Sequence, residues 1–172
     1  MSKPSLEKVE NCWFPLKMSK ITIMPDNKFF TLYNDKMILG KSSLEKENFD
    51  TLVFSFPDIE KVKIPSSIEI INSNIFTNCM KFEHVEFESN SKIRIIKQYA
   101  FSKSMIHQIK FPPSLTKIEN KSFCMCKKLI KIEFSMNSNL EIIDEAAFLG
   151  TSIDSVVFPS KLTYIGKEAF KY

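Results

Sequence analysis

Apolar residues recur along this chain in the order apolar-x-x-apolar-x-apolar. The pattern appears five times, at Ile59/Val62/Ile64, Phe82/Val85/Phe87, Ile106/Ile109/Phe111, Leu129/Ile132/Phe134 and Ile153/Val156/Phe158. Its last members lie 23, 24, 23 and 24 residues apart. An aliphatic pair follows each occurrence: Ile68/Ile71, Ile93/Ile96, Leu115/Ile118, Leu140/Ile143 and Leu162/Ile165. A Phe, mostly behind a small residue, then closes the unit at Phe76, Phe101, Phe123, Phe148 and Phe170. The Phe spacings alternate 25, 22, 25 and 22, so units repeat in pairs with a period of 47. Proline obeys the same rule: Pro65, Pro112 and Pro159 end the first strand of alternate units, where Glu88 and Ser135 stand in the others. Stepping one period back from Phe101 reaches Phe54, which predicts a worn coil ahead of the first clear one.

A single unit of this length cannot bury its Phe and its aliphatic pair alone, so the units must stack. Stacking sets each apolar slot over its equivalent in the next coil, at the strand spacing of about 4.8 Å. Segments such as Val85-Glu86-Phe87 alternate inward and outward and predict short parallel strands. Proline at a strand end withholds no donor from the middle of such a ladder. The Ala-Phe segments predict a short helical or 3₁₀ turn, being too brief for a long helix. The expected fold class is therefore α/β leaning to all-β, a solenoid of about five coils over residues 52–172.

Residues 1–51 leave the register. Ile21-Thr22-Ile23-Met24-Pro25 echoes the strand-proline element, and residues 31–39 predict a hairpin turning at Asn34-Asp35. With Trp13 and Phe14 ahead of them, they are expected to form an N-terminal cap over the first coil, since a bare solenoid end is an unpaired sheet edge. At the other end, Phe170-Lys171-Tyr172 falls within a coil, so an open end met by further repeats or by a partner is expected.

Composition sharpens this picture in three places. The chain of 172 residues is 44% hydrophobic and 26% charged, as folded soluble domains are. Sixteen Phe against three Gly predict many buried rings and few positive-φ turns. A net charge of +4, with Lys and Glu interspersed, lacks the concentrated basic face of a nucleic-acid groove. No stretch reaches the length that spans a bilayer, and Met1–Lys8 has no apolar signal core; taken at face value, that start favours a cytoplasmic protein.

Candidate chemistry is sparse. Cys79 and Cys126 share a slot that holds Ser104 and Thr151 in the other coils, which predicts a small buried position. Two coils separate them, beyond bridging distance. Cys124-Met125-Cys126 lacks metal-knuckle spacing, so four free thiols, no metal and no cofactor are expected. His84 and His107 fall in variable slots and are expected to be exposed. No nucleophile, base and acid set recurs at a spacing that stacking would bring together, and no enzyme is expected. The sequon Asn120-Lys121-Ser122 matters only along a secretory route.

What remains is the outward face of the first strand row. Lys63, Glu86, Lys110, Glu133 and Val157 lie between the buried positions, flanked by Lys61, His84, Gln108, Lys131 and Ser155. Alternating Lys and Glu predict an ion-paired ladder, and the same ten residues are the candidate partner-binding face. A rival stripe is Ile70, Ile95, Ile142 and Tyr164 in the second row, broken by Lys117.

The unit running from Ile132 to Phe170, with its L-x-x-I-x-x-x-A-F and I-x-x-I-x-F-P elements, resembles the BspA-like leucine-rich repeats of bacterial surface antigens and trichomonad protists. The resemblance covers roughly residues 52–172. It implies a right-handed leucine-rich-repeat solenoid that acts by protein–protein contact, with adhesion or antigen display at a cell surface and a host-cell or extracellular-matrix protein as partner. An intracellular scaffold of the same fold is the alternative. The asparagine after the strand survives at Asn90 and Asn137 but gives way to Ser67, Ser114 and Lys161, so no continuous asparagine ladder is expected.

Overall fold

The computed structural model describes residues 20–172. Strands β1 (Phe30–Tyr33) and β2 (Met37–Gly40) form a hairpin, and β3 (Thr51–Ser55) follows. Two rows then alternate along the chain: β4 (Lys61–Ile64), β5 (Ile70–Ile71), β6 (His84–Phe87), β7 (Ile95–Ile96), β8 (Gln108–Phe111), β9 (Lys117–Ile118), β10 (Lys131–Phe134), β11 (Ile142–Ile143) and β12 (Tyr164–Ile165). One row builds a four-stranded parallel sheet, β10-β8-β6-β4. The other joins the hairpin in an eight-stranded sheet, β1-β2-β3-β5-β7-β9-β11-β12.

Between the two sheets run the expected columns. Leu52, Ile71, Ile96, Ile118 and Ile143 are fully buried, and so are Phe76, Phe101, Phe123 and Phe148. The rings stack nearly parallel from coil to coil: Phe76–Phe101 at 5.0 Å, Phe101–Phe123 at 4.9 Å, Phe123–Phe148 at 5.0 Å and Phe148–Phe170 at 5.1 Å. That spacing is the strand spacing itself, so one repeat distance serves the sheet and the ring stack together.

Where helical or 3₁₀ turns were expected, the described residues contain none, and the fold is all-β. The Phe segments form a third ladder instead. Phe76 N–H donates to the Ala100 carbonyl (2.7 Å), Phe101 to Ser122 (2.8 Å), Phe123 to Ala147 (2.8 Å) and Phe148 to Ala169 (2.7 Å). Left-handed residues flank each Phe: Asn74 and Asn78, Tyr99 and Lys103, Lys121 and Met125, Ala146 and Gly150. These break the run of right-handed φ that a helix requires and turn the N–H groups toward the next coil.

The scarcity of glycine was therefore misleading. Eleven non-glycine residues among those described have positive φ. At the Phe turns, Tyr99, Lys103, Lys121, Met125 and Ala146 each sacrifice about 1–2 kcal/mol of local backbone preference, and their N–H bonds to the next coil offset the strain. At Gly150, with φ of 69°, an added Cβ would lie 2.6 Å from Met125 Sδ.

The N-terminal region also departs from expectation. The hairpin turns at Asn34 and Asp35, both left-handed, as their sequence predicts. Among the described residues it adds to the sheet at the edge of the first coil and forms no separate cap. β2 pairs antiparallel with β3, and β3 pairs parallel with β5, so the hairpin widens the sheet. Met37 and Leu39 face the main core, whereas Ile38 joins Phe54 and Phe56 in a second cluster with Ile21 and Ile23. Phe54 is thus outside the ring column; the earlier coil is marked by Leu52, which pairs with Ile71. Ile21–Pro25 forms no strand. Trp13 and Phe14 lie outside the described residues.

Candidate functional site

The first row places eight of the ten candidate residues on one solvent-facing surface. Two registers cross it: Lys61, His84, Gln108 and Lys131 in one, Lys63, Glu86, Lys110 and Glu133 in the other. The pleat that buries Val62, Val85, Ile109 and Ile132 turns both registers outward. Ser155 and Val157 do not join them. Residues 151–159 form no strand, and Val157 stands 85% exposed beyond the edge of β10.

The expected ladder of alternating ion pairs is not closed. Lys131 Nζ meets Glu133 Oε1 at 2.6 Å along a single strand, and this is the one ion pair of that face among the described residues. Lys131 holds the Glu133 carboxyl below its usual value, with Lys110 adding to the effect. Lys61, Lys63 and Lys110 keep their ammonium groups in water, where a closed pair would contribute little.

The four-stranded sheet also opens in its middle. β4 pairs with β6 over four residues, and β8 with β10 over four, but β6 and β8 pair at His84↔Gln108 alone. At the strand end, Glu88 N–H donates to the Ile64 carbonyl at 3.0 Å. Pro112 and Pro159 occupy that place in their coils and have no N–H to give. The last rung to the preceding coil cannot form at either, and β10 has no paired strand after it. Proline at these ends does withhold a donor, the last one of its strand. A groove of about 220 Å³ lies over β6, β8 and β10, lined by Val85, Glu86, Gln108, Ile109, Lys110, Lys131 and Glu133. Sequence reading missed it, although the alternating prolines were its signal.

Other candidates resolve simply. Cys79 and Cys126 are buried, and burial pushes their thiols up to about 12 and about 11. Cys126 Sγ donates to the Phe101 carbonyl at 3.0 Å, so the slot is one for a small packed hydrogen-bonding group. Cys124 is half-buried and also raised by burial, with Lys121 and Lys103 opposing. Thiols held protonated are poor nucleophiles and poor metal ligands. Cys12 lies outside the described residues. His84 is exposed as expected, but His107 is half-buried. Ser122 of the sequon is buried and donates to the Glu119 carbonyl. The described residues hold no group of three or more His, Cys, Asp or Glu placed for a metal, and no helix long and apolar enough to cross a membrane.

The rival stripe is half-buried. Ile70, Ile95, Lys117 and Ile142 sit in register, with Tyr164 exposed at the end. Lys117 turns its ammonium toward Asp144 (3.6 Å) and Glu119 (4.0 Å), laying its stem along the row.

Stacked parallel strands, stacked rings and a solvent-facing strand surface define a leucine-rich-repeat solenoid. The family model for the BspA type leucine rich repeat region matches residues 47–172 in six copies, and the chain belongs to that family. Among solved structures, the pneumococcal vaccine antigen PcpA is similar, with 29% identity and a TM-score of 0.63 over 65% of this chain and 28% of that one. A leucine-rich repeat protein from Eubacterium ventriosum matches in fold, with 17% identity and a TM-score of 0.50 over 90% of this chain and 52% of that one. The chain thus spans between a quarter and about half the length of these structures. The comparison with curated proteins finds no match.

Proposed function

We propose that this chain is a non-enzymatic protein-interaction module, displayed at a cell surface as an adhesin or antigen and contacting a host-cell or extracellular-matrix protein through its four-stranded face. The observation that carries the reading is the pair of outward registers, Lys61/His84/Gln108/Lys131 and Lys63/Glu86/Lys110/Glu133, on one face, with a groove among Glu86, Gln108, Lys110, Lys131 and Glu133. Repeat solenoids present just such broad surfaces to their partners. The similarity to a pneumococcal vaccine antigen supports display at the surface.

An antibody raised against the chain and applied to intact, unpermeabilised cells tests the display. Surface labelling is the expected result; labelling only after permeabilisation overturns it and leaves a scaffold inside the cell. Binding of the purified chain to immobilised matrix proteins then tests the face, through variants at Lys63, Glu86, Lys110 and Glu133. Adhesion unchanged in all four variants would remove the face from the account.

A further inference from the structure

We infer that the four-stranded face takes an acidic, extended segment of its protein partner, laid across the strands and centred on the opening between β6 and β8. This rests on the reading of that face as the contact surface and adds the chemistry of what it contacts.

Charge carries the argument. The face holds Lys61, Lys63, Lys110 and Lys131 against Glu86 and Glu133. Lys131 already neutralises Glu133 at 2.6 Å. What is left over is three lysines and one glutamate, and among the described residues none of Lys61, Lys63 and Lys110 has an ion-pair partner. The register Lys61/His84/Gln108/Lys131 contains no carboxylate at all.

Spacing fits an extended peptide. Three strand intervals of about 4.8 Å separate Lys61 from Lys131, a span of about 14 Å, which is roughly four residues of extended chain. Carboxylates four residues apart in the segment thus reach both ends of the register. In the middle, the groove sets Gln108 and Lys110 on one side and Glu86 on the other. A peptide of mixed composition sets a neutral residue against Glu86 and carboxylates against Lys110. A nucleic-acid or sulfated-glycan polyanion carries charge on every unit and meets Glu86 with repulsion.

The test is fluorescence anisotropy of labelled octaglutamate with the full chain, octaglutamine and a heparin octasaccharide serving as comparison probes. Saturable octaglutamate binding is expected, weaker by tenfold or more when sodium chloride rises from 50 to 300 mM, as roughly follows when several ion pairs are screened. The combined Lys61→Glu, Lys63→Glu and Lys110→Glu variant should lose it. Glu86→Gln should bind octaglutamate several-fold more tightly, a gain that no misfolded protein could produce. The inference is overturned by no octaglutamate binding, by binding that the triple variant keeps, by unchanged affinity in Glu86→Gln, or by heparin binding more tightly than octaglutamate to the same lysines. Matrix adhesion lost in face variants without octaglutamate binding would sink this inference alone. Adhesion that ignores the face would sink the broader reading.

Discussion

The two parallel ladders are cut from the same coils, yet one is continuous and the other opens. In the second row, the residue just after each strand donates to the coil before it. Asn72 N–H reaches the Leu52 carbonyl (3.1 Å), Lys97 reaches Ile71 (3.0 Å), Glu119 reaches Ile96 (2.9 Å), Asp144 reaches Ile118 (2.9 Å) and Gly166 reaches Ile143 (2.8 Å). In the first row Glu88 makes the equivalent bond, Ser135 also has an N–H in that slot, and Pro112 and Pro159 have none. Spacing does not explain the contrast. The first-row intervals are the more even, 23 and 24, while those of the second row swing between 25 and 22. A sheet tolerates loops of unequal length, because loop closure depends only weakly on length, whereas a proline removes a donor outright. The continuous ladder holds the molecule together, and the interrupted one exposes a groove.

Five substitutions test that contrast, in descending order of effect. Phe123→Ala empties the middle of the ring column and should cost about 3–5 kcal/mol in urea unfolding, whereas Val157→Ala on the unpaired segment should change stability by less than about 0.5 kcal/mol. Equal effects would break the division into a packed interior and a loose rim.

Asp50 anchors the start of the continuous ladder. It is 2% exposed; its backbone carbonyl accepts from Glu69 and Ile70, and its carboxylate accepts from the Ser42 amide (2.7 Å) and hydroxyl (2.5 Å), with Lys46 Nζ at 3.3 Å. Burial pushes this carboxyl up, but Ser42 and Lys46 together outweigh it and leave it below its ordinary value. A lowered folded value means the stabilisation is present above the ordinary carboxylate pKa of about 3.9 and is lost as pH falls through the lower folded value. Asp50→Asn should cost roughly 2–3 kcal/mol at neutral pH, the scale of a lost charged hydrogen bond, and should flatten the acid limb of the melting-temperature profile. An unchanged acid limb would show that Asp50 does not anchor the ladder.

Lys97→Pro moves the proline device into the second row and removes the donor to Ile71. A loss of roughly 1–3 kcal/mol in urea unfolding is expected from the stranded carbonyl. No loss would mean that the second row does not depend on its rungs. Pro112→Ser supplies the missing donor in the first row. The new bond and the loosened unfolded chain nearly cancel, so stability should move by less than about 1 kcal/mol, while a protected amide appears at position 112.

Much of this architecture was legible in the sequence. The columns of Ile71, Ile96, Ile118 and Ile143 and of Phe101, Phe123 and Phe148 follow from periodicity alone, because only stacking hides so many apolar side chains at that spacing. The outward registers of the first row follow from the pleat. The ladder at the Phe turns was not legible: Tyr99, Lys121 and Met125 carry no mark of a left-handed backbone, and only the hydrogen bonds to the next coil make that conformation worth holding. Nor was the place of β3, since Leu52 resembles any strand residue until its partner Ile71 is known. The groove was half legible. Alternating prolines were visible, but their effect depends on which carbonyl each missing N–H would have met.

Residue-resolved amide exchange on the intact chain tests the central claim most directly. Glu86, Lys110 and Glu133 hold equivalent places in successive first-row strands. Slow exchange at Glu86 and Glu133, together with Lys97, Glu119 and Asp144, and fast exchange at Lys110 is the predicted result. Lys110 protected as strongly as Glu86 and Glu133 would mean that β6 and β8 are zipped shut, and the account of an interrupted ladder would be wrong.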